Sequence, residues 1–247
     1  MFQEPSWLSL VAISRAFGTM SERAFLIIFD CDGVLIDSEA IASRVVASHL
    51  AELGWAMTSE EARSCFIGMS LAPMQELIET RLARPVPPAW TDTLVKKLIL
   101  AMDEEAEPIE GARKVLEELN ARGINWRVAS NSADPEMHVK FTRTGLADLV
   151  AGRTHSAPRL AAQGGRPKPA PDVFLDAARA EKVDPGDCVV VEDSIPGITA
   201  AVAAGMTVYA LSRHGPDDTL LDAGASRVLR RLDEVLDLLP VPFEAPA

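Results

Sequence analysis

The chain has 247 residues, of which 48% are hydrophobic and 24% are charged, proportions typical of a soluble globular protein. Its formal net charge of −12 argues against a nucleic-acid partner, because a phosphate backbone needs a basic face. No apolar run approaches the roughly 20 residues of a membrane span, and three widely spaced cysteines indicate neither a disulfide framework nor a zinc site. We therefore expect a cytoplasmic protein that binds neither nucleic acid nor membranes.

Residues 1–19 are predicted to be an N-terminal extension, because MSERAF from Met20 onward is a natural start just before the first strand. Runs typical of buried strands follow in chain order: AFLIIF (24–29), INWRVAS (124–130), DCVVVED (187–193), TVYAL (207–211) and SRVLR (226–230). Their continuous apolarity indicates strands covered on both faces, which favours a parallel sheet. Helical patterns precede the second, third and fourth runs, at residues 110–123, 171–183 and 196–205. This alternation predicts an α/β fold with a Rossmann-like, doubly wound parallel sheet.

A helical unit is predicted between the first strand and the next helix–strand pair. Its patterns are EAIASRVVASHLAELG (39–54), a capping-box start TSEE at Thr58, a second helix start at Ser70 and TDTLVKKLILAMDEEAE (91–107). The proline-rich RLARPVPPAW (81–90) is a break within this unit. We therefore divide the chain into the extension (1–19), a first part of the core (20–39), an inserted helical cap (40–107) and a second part of the core (108–247).

Polar side chains follow the predicted strands, at the edge where open α/β sheets bind ligands. These residues are Asp30 and Asp32 after the first strand, Ser130 and Asn131 after the second, and Glu192 and Asp193 after the third, with Lys168 in the loop before residues 171–183. Taken singly, most of them are explained as helix caps, turn residues or solvated side chains. Independent caps have no reason to occur together at adjacent strand ends, so the set predicts one pocket.

The residue types in this pocket suit phosphoryl transfer. Aspartate is a competent nucleophile toward phosphorus, and a second carboxyl two residues on can protonate the leaving alkoxide and then activate water. Asp30 with Asp193 offers the hard oxygen ligands that Mg²⁺ takes. With Asp32 taken as protonated, Asp30, Glu192 and Asp193 carry −3, and a phosphate ester adds about −2. Mg²⁺ together with Lys168 offsets the charge of these acids, so a magnesium site is predicted.

The ordered segments FDCDGVLIDSE, VASNS, GRPKPAPDVF and VVVEDSIPG resemble the four motifs of the haloacid dehalogenase-like hydrolase superfamily. The resemblance extends over residues 24–230 and includes the subgroup with a helical cap inserted after the first motif. It implies that Asp30 is the nucleophile and Asp32 the general acid and base. It also implies Mg²⁺ bound by the Asp30 carboxylate, the Asp32 main-chain carbonyl and Asp193. Glu192 is a neighbouring acid that we include in the candidate metal set.

The same resemblance implies that Ser130 hydrogen-bonds the phosphoryl oxygens, with help from the backbone near Asn131, and that Lys168 neutralises charge during catalysis. We therefore expect a magnesium-dependent phosphoric monoester hydrolase that works through an aspartyl-phosphate. Its expected substrate is a small phosphorylated metabolite, a sugar phosphate or a phosphorylated sugar acid. A monomer or a small homo-oligomer is expected.

Two other functions stay open: phosphoryl transfer of the β-phosphoglucomutase type, and a non-catalytic regulatory role. The mutases typically carry a histidine in the first cap helix and an arginine after the glycine of a cap loop. The matching positions here are Ala42 and Leu71, which argues against mutase chemistry. In that loop, FIGMS, we predict that Gly68, Met69, Ser70 and Leu71 select the substrate. A plain interhelix turn with Ser70 as N-cap explains the loop equally well.

Overall fold

The computed structural model describes residues 25–66, 68–213 and 218–239, so the predicted extension over residues 1–19 lies outside the described part of the chain. The strands are β1 (Leu26–Phe29), β2 (Ile36–Asp37), β3 (Glu107–Pro108), β4 (Asn125–Ser130), β5 (Thr154–Ser156), β6 (Cys188–Glu192), β7 (Thr207–Leu211) and β8 (Arg227–Leu229). In the described residues, six of them form one parallel sheet in the order β5, β4, β1, β6, β7, β8. This order confirms the doubly wound sheet, because β4 and β5 lie on one side of β1 and β6 to β8 on the other.

Helices cover both faces of this sheet. They are α1 (Glu39–Ala51), α2 (Ser59–Phe66), α3 (Leu71–Leu82), α4 (Trp90–Glu105), α5 (Ala112–Ala121), α6 (Asp134–Arg143), α7 (Ala147–Val150), α8 (Ala157–Ala161), α9 (Asp172–Glu181), α10 (Ile195–Ala203) and α11 (Asp218–Asp222), with 3-10 turns at Pro185–Asp187 and Leu232–Asp237. In β1, Ile27 and Phe29 pack in one cluster with α5 and α6, whereas Leu26 and Ile28 pack with α9 and α10. The strand is continuously apolar because both of its faces are buried. Among the described residues, no helix combines the length and apolarity needed to cross a membrane.

Helices α1 to α4 form a helical insert (residues 39–105) with a hydrophobic cluster of its own. Its members include Leu50 from α1, Phe66 from α2, Ile78 from α3 and Leu94 from α4. The short antiparallel strands β2 and β3 pair with each other at the two ends of the insert. The chain therefore enters and leaves the insert through a two-stranded connection, and Ile41 and Met102 of the insert also pack against the hydrophobic cluster of the core. The residue boundaries assigned to the four domain segments remain predictions.

Local sequence signals correspond to several features of the insert. At the start of α2, the Thr58 hydroxyl accepts a hydrogen bond from the Glu61 amide (3.1 Å), and the Glu61 carboxylate accepts one from the Thr58 amide (2.7 Å), so the predicted capping box is present. The proline-rich segment connects α3 to α4. Strands β2, β3 and β5 were not predicted, because their sequences ID, EP and THS contain no apolar run.

Candidate active site

The site lies where the strand order reverses, between the neighbouring strands β1 and β6. Phe29 of β1 is opposite Val191 of β6, and the Asp30 amide donates a hydrogen bond to the Val191 carbonyl (2.9 Å). Asp30 therefore extends the ladder by one residue beyond β1, and Glu192 ends β6 beside it. In open α/β sheets, ligands bind in the crevice at this point.

Lys168 is a buried cation in the middle of this crevice. Its Nζ donates hydrogen bonds to Asp30 Oδ1 (2.5 Å), Glu192 Oε1 (2.8 Å) and the Ala129 carbonyl (2.9 Å). Burial alone would lower the pKa of Lys168, but the charges of Asp30 and Glu192 raise it above its usual value. Lys168 therefore stays protonated and joins the ends of β1, β4 and β6.

Both carboxylate oxygens of Glu192 are hydrogen-bonded. Oε1 accepts from Lys168, and Oε2 accepts from the Asp193 amide (2.9 Å), the Ser194 amide (2.9 Å) and the Ser194 hydroxyl (3.0 Å). A Cβ added at Gly197 would lie 1.7 Å from Glu192 Oε1, so a glycine in α10 makes room for this carboxylate. Through these hydrogen bonds, Glu192 positions the Lys168 side chain and stabilises the turn after β6.

Three carboxylates converge at the crevice, of which Asp30 and Glu192 are buried and Asp193 is half-buried. Oxygen atoms of Asp30, Glu192 and Asp193 lie within 4.8 Å of one another. Burial raises the pKa of Asp30 to about 7, with Lys168 opposing this shift and Glu192 adding to it. Burial, followed by the charges of Glu192 and Asp30, raises the pKa of Asp193 well above its usual value. A cation would relieve this repulsion, and the hard carboxylate oxygens suit Mg²⁺.

Gly33 makes the approach of Asp193 to the first-motif turn possible. Its φ of +74° lies in the left-handed region, and a Cβ at this position would lie 1.8 Å from Asp193 Oδ2. The turn is closed by hydrogen bonds from the Gly33 amide to the Ile36 carbonyl (2.8 Å) and from the Leu35 amide to the Cys31 carbonyl (3.0 Å). A side chain at residue 33 would displace the Asp193 carboxylate or open the turn.

Asp32 is held by a network that the sequence analysis missed. Lys140 Nζ donates to Asp32 Oδ1 (2.7 Å), the Ser132 hydroxyl donates to Oδ2 (2.8 Å), and the Ser38 hydroxyl donates to Oδ1. Burial acts to raise the pKa of Asp32, but Lys140 and the two hydroxyls lower it below its usual value. Asp32 is therefore ionised in the free site and not protonated as expected, because the buried Lys140 stabilises its carboxylate.

Lys140 belongs to α6 and is only 1% exposed. Besides Asp32, its Nζ donates to Glu136 Oε1 (2.6 Å) and to the Ser132 hydroxyl (3.0 Å). In the sequence, Glu136 and Lys140 form an ordinary i, i+4 pair typical of a solvated helix face. One local signal was available: Lys140 lies between the apolar residues Met137 and Phe141, on the side of α6 that packs against the core.

Ser130 and Asn131 place polar groups at the end of β4. The Ser130 hydroxyl accepts a hydrogen bond from the Ser132 amide (3.0 Å), and Asn131 Oδ1 accepts one from the Lys168 amide (3.0 Å). Asn131 Nδ2 donates to the Gly68 carbonyl (3.4 Å), which lies in the loop between α2 and α3. Asn131 therefore links the sheet end to the helical insert.

The predicted site residues all line one cavity of about 290 Å³ between the sheet and the helical insert. They are Asp30, Asp32, Ser130, Asn131, Lys168, Glu192 and Asp193 from the core, and Gly68, Met69, Ser70 and Leu71 from the insert. The structure thus brings together residues that the sequence analysis placed at one pocket. Their individual roles remain predictions.

The loop at Gly68 makes a close contact with the core. A Cβ at Gly68 would lie 2.9 Å from the Ser194 side chain, and Gly68 has a φ of +70°. Ser70 is the residue before α3, but its side chain makes no capping hydrogen bond. Among the described residues, the buried Ser70 hydroxyl has no hydrogen-bond partner. A plain N-cap would not leave this hydroxyl unpaired, which favours the substrate-selecting interpretation of the loop.

Comparisons with known proteins agree with these motifs. A family model described as haloacid dehalogenase-like hydrolase matches residues 26–205. The chain is 26% identical over 218 residues to a bifunctional riboflavin kinase/FMN phosphatase of Arabidopsis thaliana, covering 88% of this chain but only 56% of that protein. It is 27% identical over 188 residues to 6-phosphogluconate phosphatase of Escherichia coli, covering 76% of this chain and 82% of that protein.

Two of the similar solved structures contain phosphate. The more similar of the two is a HAD family hydrolase from Deinococcus radiodurans with bound phosphate and sodium. It is 34% identical to this chain, with a TM-score of 0.68, and the match covers 86% of this chain and 93% of that structure. A protein with a similar fold therefore binds phosphate.

Proposed function

Because the chain belongs to the haloacid dehalogenase-like hydrolase family, we propose that it is a Mg²⁺-dependent phosphatase that transfers the phosphoryl group of a small phosphomonoester to Asp30. The observation that carries this proposal is the arrangement around Asp30. Its buried carboxylate accepts a hydrogen bond from the buried Lys168 (2.5 Å), and the carboxylate of Asp32 follows two residues later in the chain. The names of the relatives support hydrolysis of phosphomonoesters, and the similar structure from Deinococcus radiodurans contains phosphate.

The carboxylates of Asp30 and Asp193, with the main-chain carbonyl of Asp32, would hold the metal ion. Glu192 is left out of this set because its carboxylate accepts four hydrogen bonds, three of them at Oε2, whereas among the described residues the Asp30 carboxylate accepts one, from Lys168. When bound, Mg²⁺ supplies positive charge that offsets the charge of the phosphoryl oxygens.

Asp30 is placed to act as the nucleophile. Its Oδ1 accepts the Lys168 hydrogen bond, so the other oxygen, Oδ2, forms the new bond to phosphorus as the bond to the leaving oxygen breaks. Lys168 keeps Asp30 oriented and lies beside the charge of the phosphoryl group. The Ser130 hydroxyl and the backbone near Asn131 are donors for the phosphoryl oxygens.

Asp32 performs the proton transfers. It is ionised in the free site, and the negative charge of a bound phosphate ester favours uptake of a proton at its carboxylate. Asp32 then gives this proton to the leaving alkoxide. In the second step it takes a proton from the water that attacks phosphorus, which releases phosphate and restores the Asp30 carboxylate.

Mutase chemistry is not proposed. Ala42 and Leu71, the two positions where a second phosphate would be bound, both line the cavity, and neither carries a polar side chain. The nearby Arg63 is engaged by Glu39, whose Oε2 accepts from Nε (3.0 Å) and Nη2 (2.8 Å).

Phosphate release tests the proposal directly. The purified protein is incubated with 4-nitrophenyl phosphate and a panel of phosphorylated metabolites, with Mg²⁺ or with EDTA. We expect phosphate release with Mg²⁺ and a fall of at least about tenfold with EDTA. Restoration by added Mg²⁺ is the control for damage by the chelator. Absence of release from every compound would favour the non-catalytic alternative.

Gly33→Ala is expected to weaken metal binding. The added Cβ would meet Asp193 Oδ2, so the concentration of Mg²⁺ needed for half-maximal activity should rise about tenfold. Gly123→Ala is the matched control, because Gly123 has a similar φ of +67° but no described residue within 4 Å of an added Cβ. The two variants share the backbone strain, and only one has the clash. Equal Mg²⁺ dependence in both would show that Gly33 serves the turn alone.

A further inference from the structure

The cavity between the sheet and the insert has two chemically different ends. The core end contains the acids, the two lysines and the polar residues already described. The insert end is lined by the apolar residues Val46, Phe66, Met69, Met74, Leu98 and Met102. A phosphomonoester bound with its phosphoryl group at Asp30 would direct its organic part toward these side chains.

The cationic side chains that line the cavity in the described part of the chain are all paired. Lys168 forms ion pairs with Asp30 and Glu192, and Lys140 forms an ion pair with Asp32. Arg63, on the insert side, forms two hydrogen bonds with Glu39, which also lines the cavity. A second anionic group on the substrate would therefore find that each cation is already balanced by a carboxylate. One like-charge contact in a partly buried site lowers affinity on the order of a hundredfold.

Apart from the Glu39–Arg63 pair, few of the described side chains at the insert end are polar. The Ser43 hydroxyl donates to the Glu39 carbonyl (2.7 Å) within α1. The Ser70 hydroxyl is buried and has no partner among the described residues. It can satisfy one hydroxyl or carbonyl group of a ligand. Any hydroxyl of a polyol chain beyond the reach of Ser70 and of the Glu39–Arg63 pair would lie unpaired against apolar side chains, which is unfavourable.

We infer that the substrate is a phosphomonoester whose organic part is uncharged and mainly apolar, in preference to a sugar acid, a polyol or a bisphosphate. This inference rests on the proposed function, and it specifies the class of leaving group. The cavity volume of about 290 Å³ lies near the lower end of the roughly 300–1,000 Å³ usual for small-molecule sites. It suits a phosphate with a short organic group.

The first test compares six-carbon leaving groups. Hexyl phosphate, glucitol 6-phosphate and gluconate 6-phosphate share chain length but differ in polarity and charge. We expect kcat/KM for hexyl phosphate to exceed that for the polyol at least about tenfold and that for the sugar acid about a hundredfold. Between ethyl, butyl and hexyl phosphates, each methylene that becomes buried should raise kcat/KM about fourfold.

The second test adds a hydroxyl to the apolar wall. Val46 and Val86 are both buried in the insert's hydrophobic cluster, but only Val46 lines the cavity. Val46→Thr should reduce the ratio of kcat/KM for hexyl phosphate to kcat/KM for glucitol 6-phosphate about tenfold. Val86→Thr should leave this ratio unchanged. Because the ratio is measured within one preparation, loss of folded protein cancels.

The outcomes separate this inference from the proposed function. Hydrolysis of 4-nitrophenyl phosphate together with a preference for glucitol or gluconate 6-phosphate would overturn the inference alone. The same shift of the ratio in both valine variants would also overturn it, because the effect would not come from the cavity wall. Failure to hydrolyse any of the compounds would overturn both.

Discussion

Asp30→Asn is expected to lower phosphate release at least about 10⁴-fold, with the fold retained. An amide is a poor nucleophile toward phosphorus, and Lys168 Nζ would still have Glu192 and the Ala129 carbonyl as partners. Asn has nearly the same size and shape as Asp, so the packing of the crevice should persist. Steady-state release from 4-nitrophenyl phosphate and a thermal unfolding curve measure the two parts of this prediction.

The control for Asp30→Asn is Asp103→Asn, an identical change at an exposed position of α4. It should retain full activity. A residual rate above about a tenth in Asp30→Asn would contradict a covalent mechanism at this residue. The proposed function requires that the variant stays folded and binds 4-nitrophenyl phosphate without releasing phosphate from it.

Lys140→Met is expected to produce a loss that depends on the leaving group. Lys140 holds the Asp32 carboxylate at 2.7 Å, and general acid catalysis contributes about 10²–10⁴-fold where the leaving group needs a proton. In single-turnover measurements we expect phosphoryl capture from alkyl phosphates to fall about 10³-fold. Capture from 4-nitrophenyl phosphate should fall only about tenfold, because nitrophenolate leaves without much protonation.

Several controls separate positioning from general damage at Lys140. Lys114→Met changes the same residue type at an exposed site on α5 and should have no effect. If Lys140→Met unfolds, the additional change Glu136→Gln removes one of the acids left unpaired. In the double variant Lys140→Met/Asp32→Asn, the fold-loss of phosphoryl capture should be smaller than the product of the two single fold-losses, because both residues act on the same proton-transfer step. Equal losses for alkyl and aryl phosphates would assign Lys140 a structural role only.

The sheet was predictable because its signal is local. Runs such as LIIF in β1 are apolar at every residue, and burial on both faces follows directly from that composition. The place of the site followed from the same reasoning, since Asp30, Ser130 and Glu192 stand at the ends of strands that the pattern had already located. The edge strand β5, with sequence THS, has no such run and depends on pairing with β4 for its conformation.

The sequence by itself determined the main strands of the sheet, the position of the helical insert and the residues that share one pocket. The tertiary structure alone decided how those residues are charged and held. Lys140 lies 108 positions from Asp32 in the chain, yet it sets the ionisation of that carboxylate, and Lys168 lies 138 positions from Asp30. A pKa depends on burial and on the distances to other charges, and neither is encoded in any short segment. The same holds for the apolar wall of the cavity, which forms only when the insert packs over the strand ends.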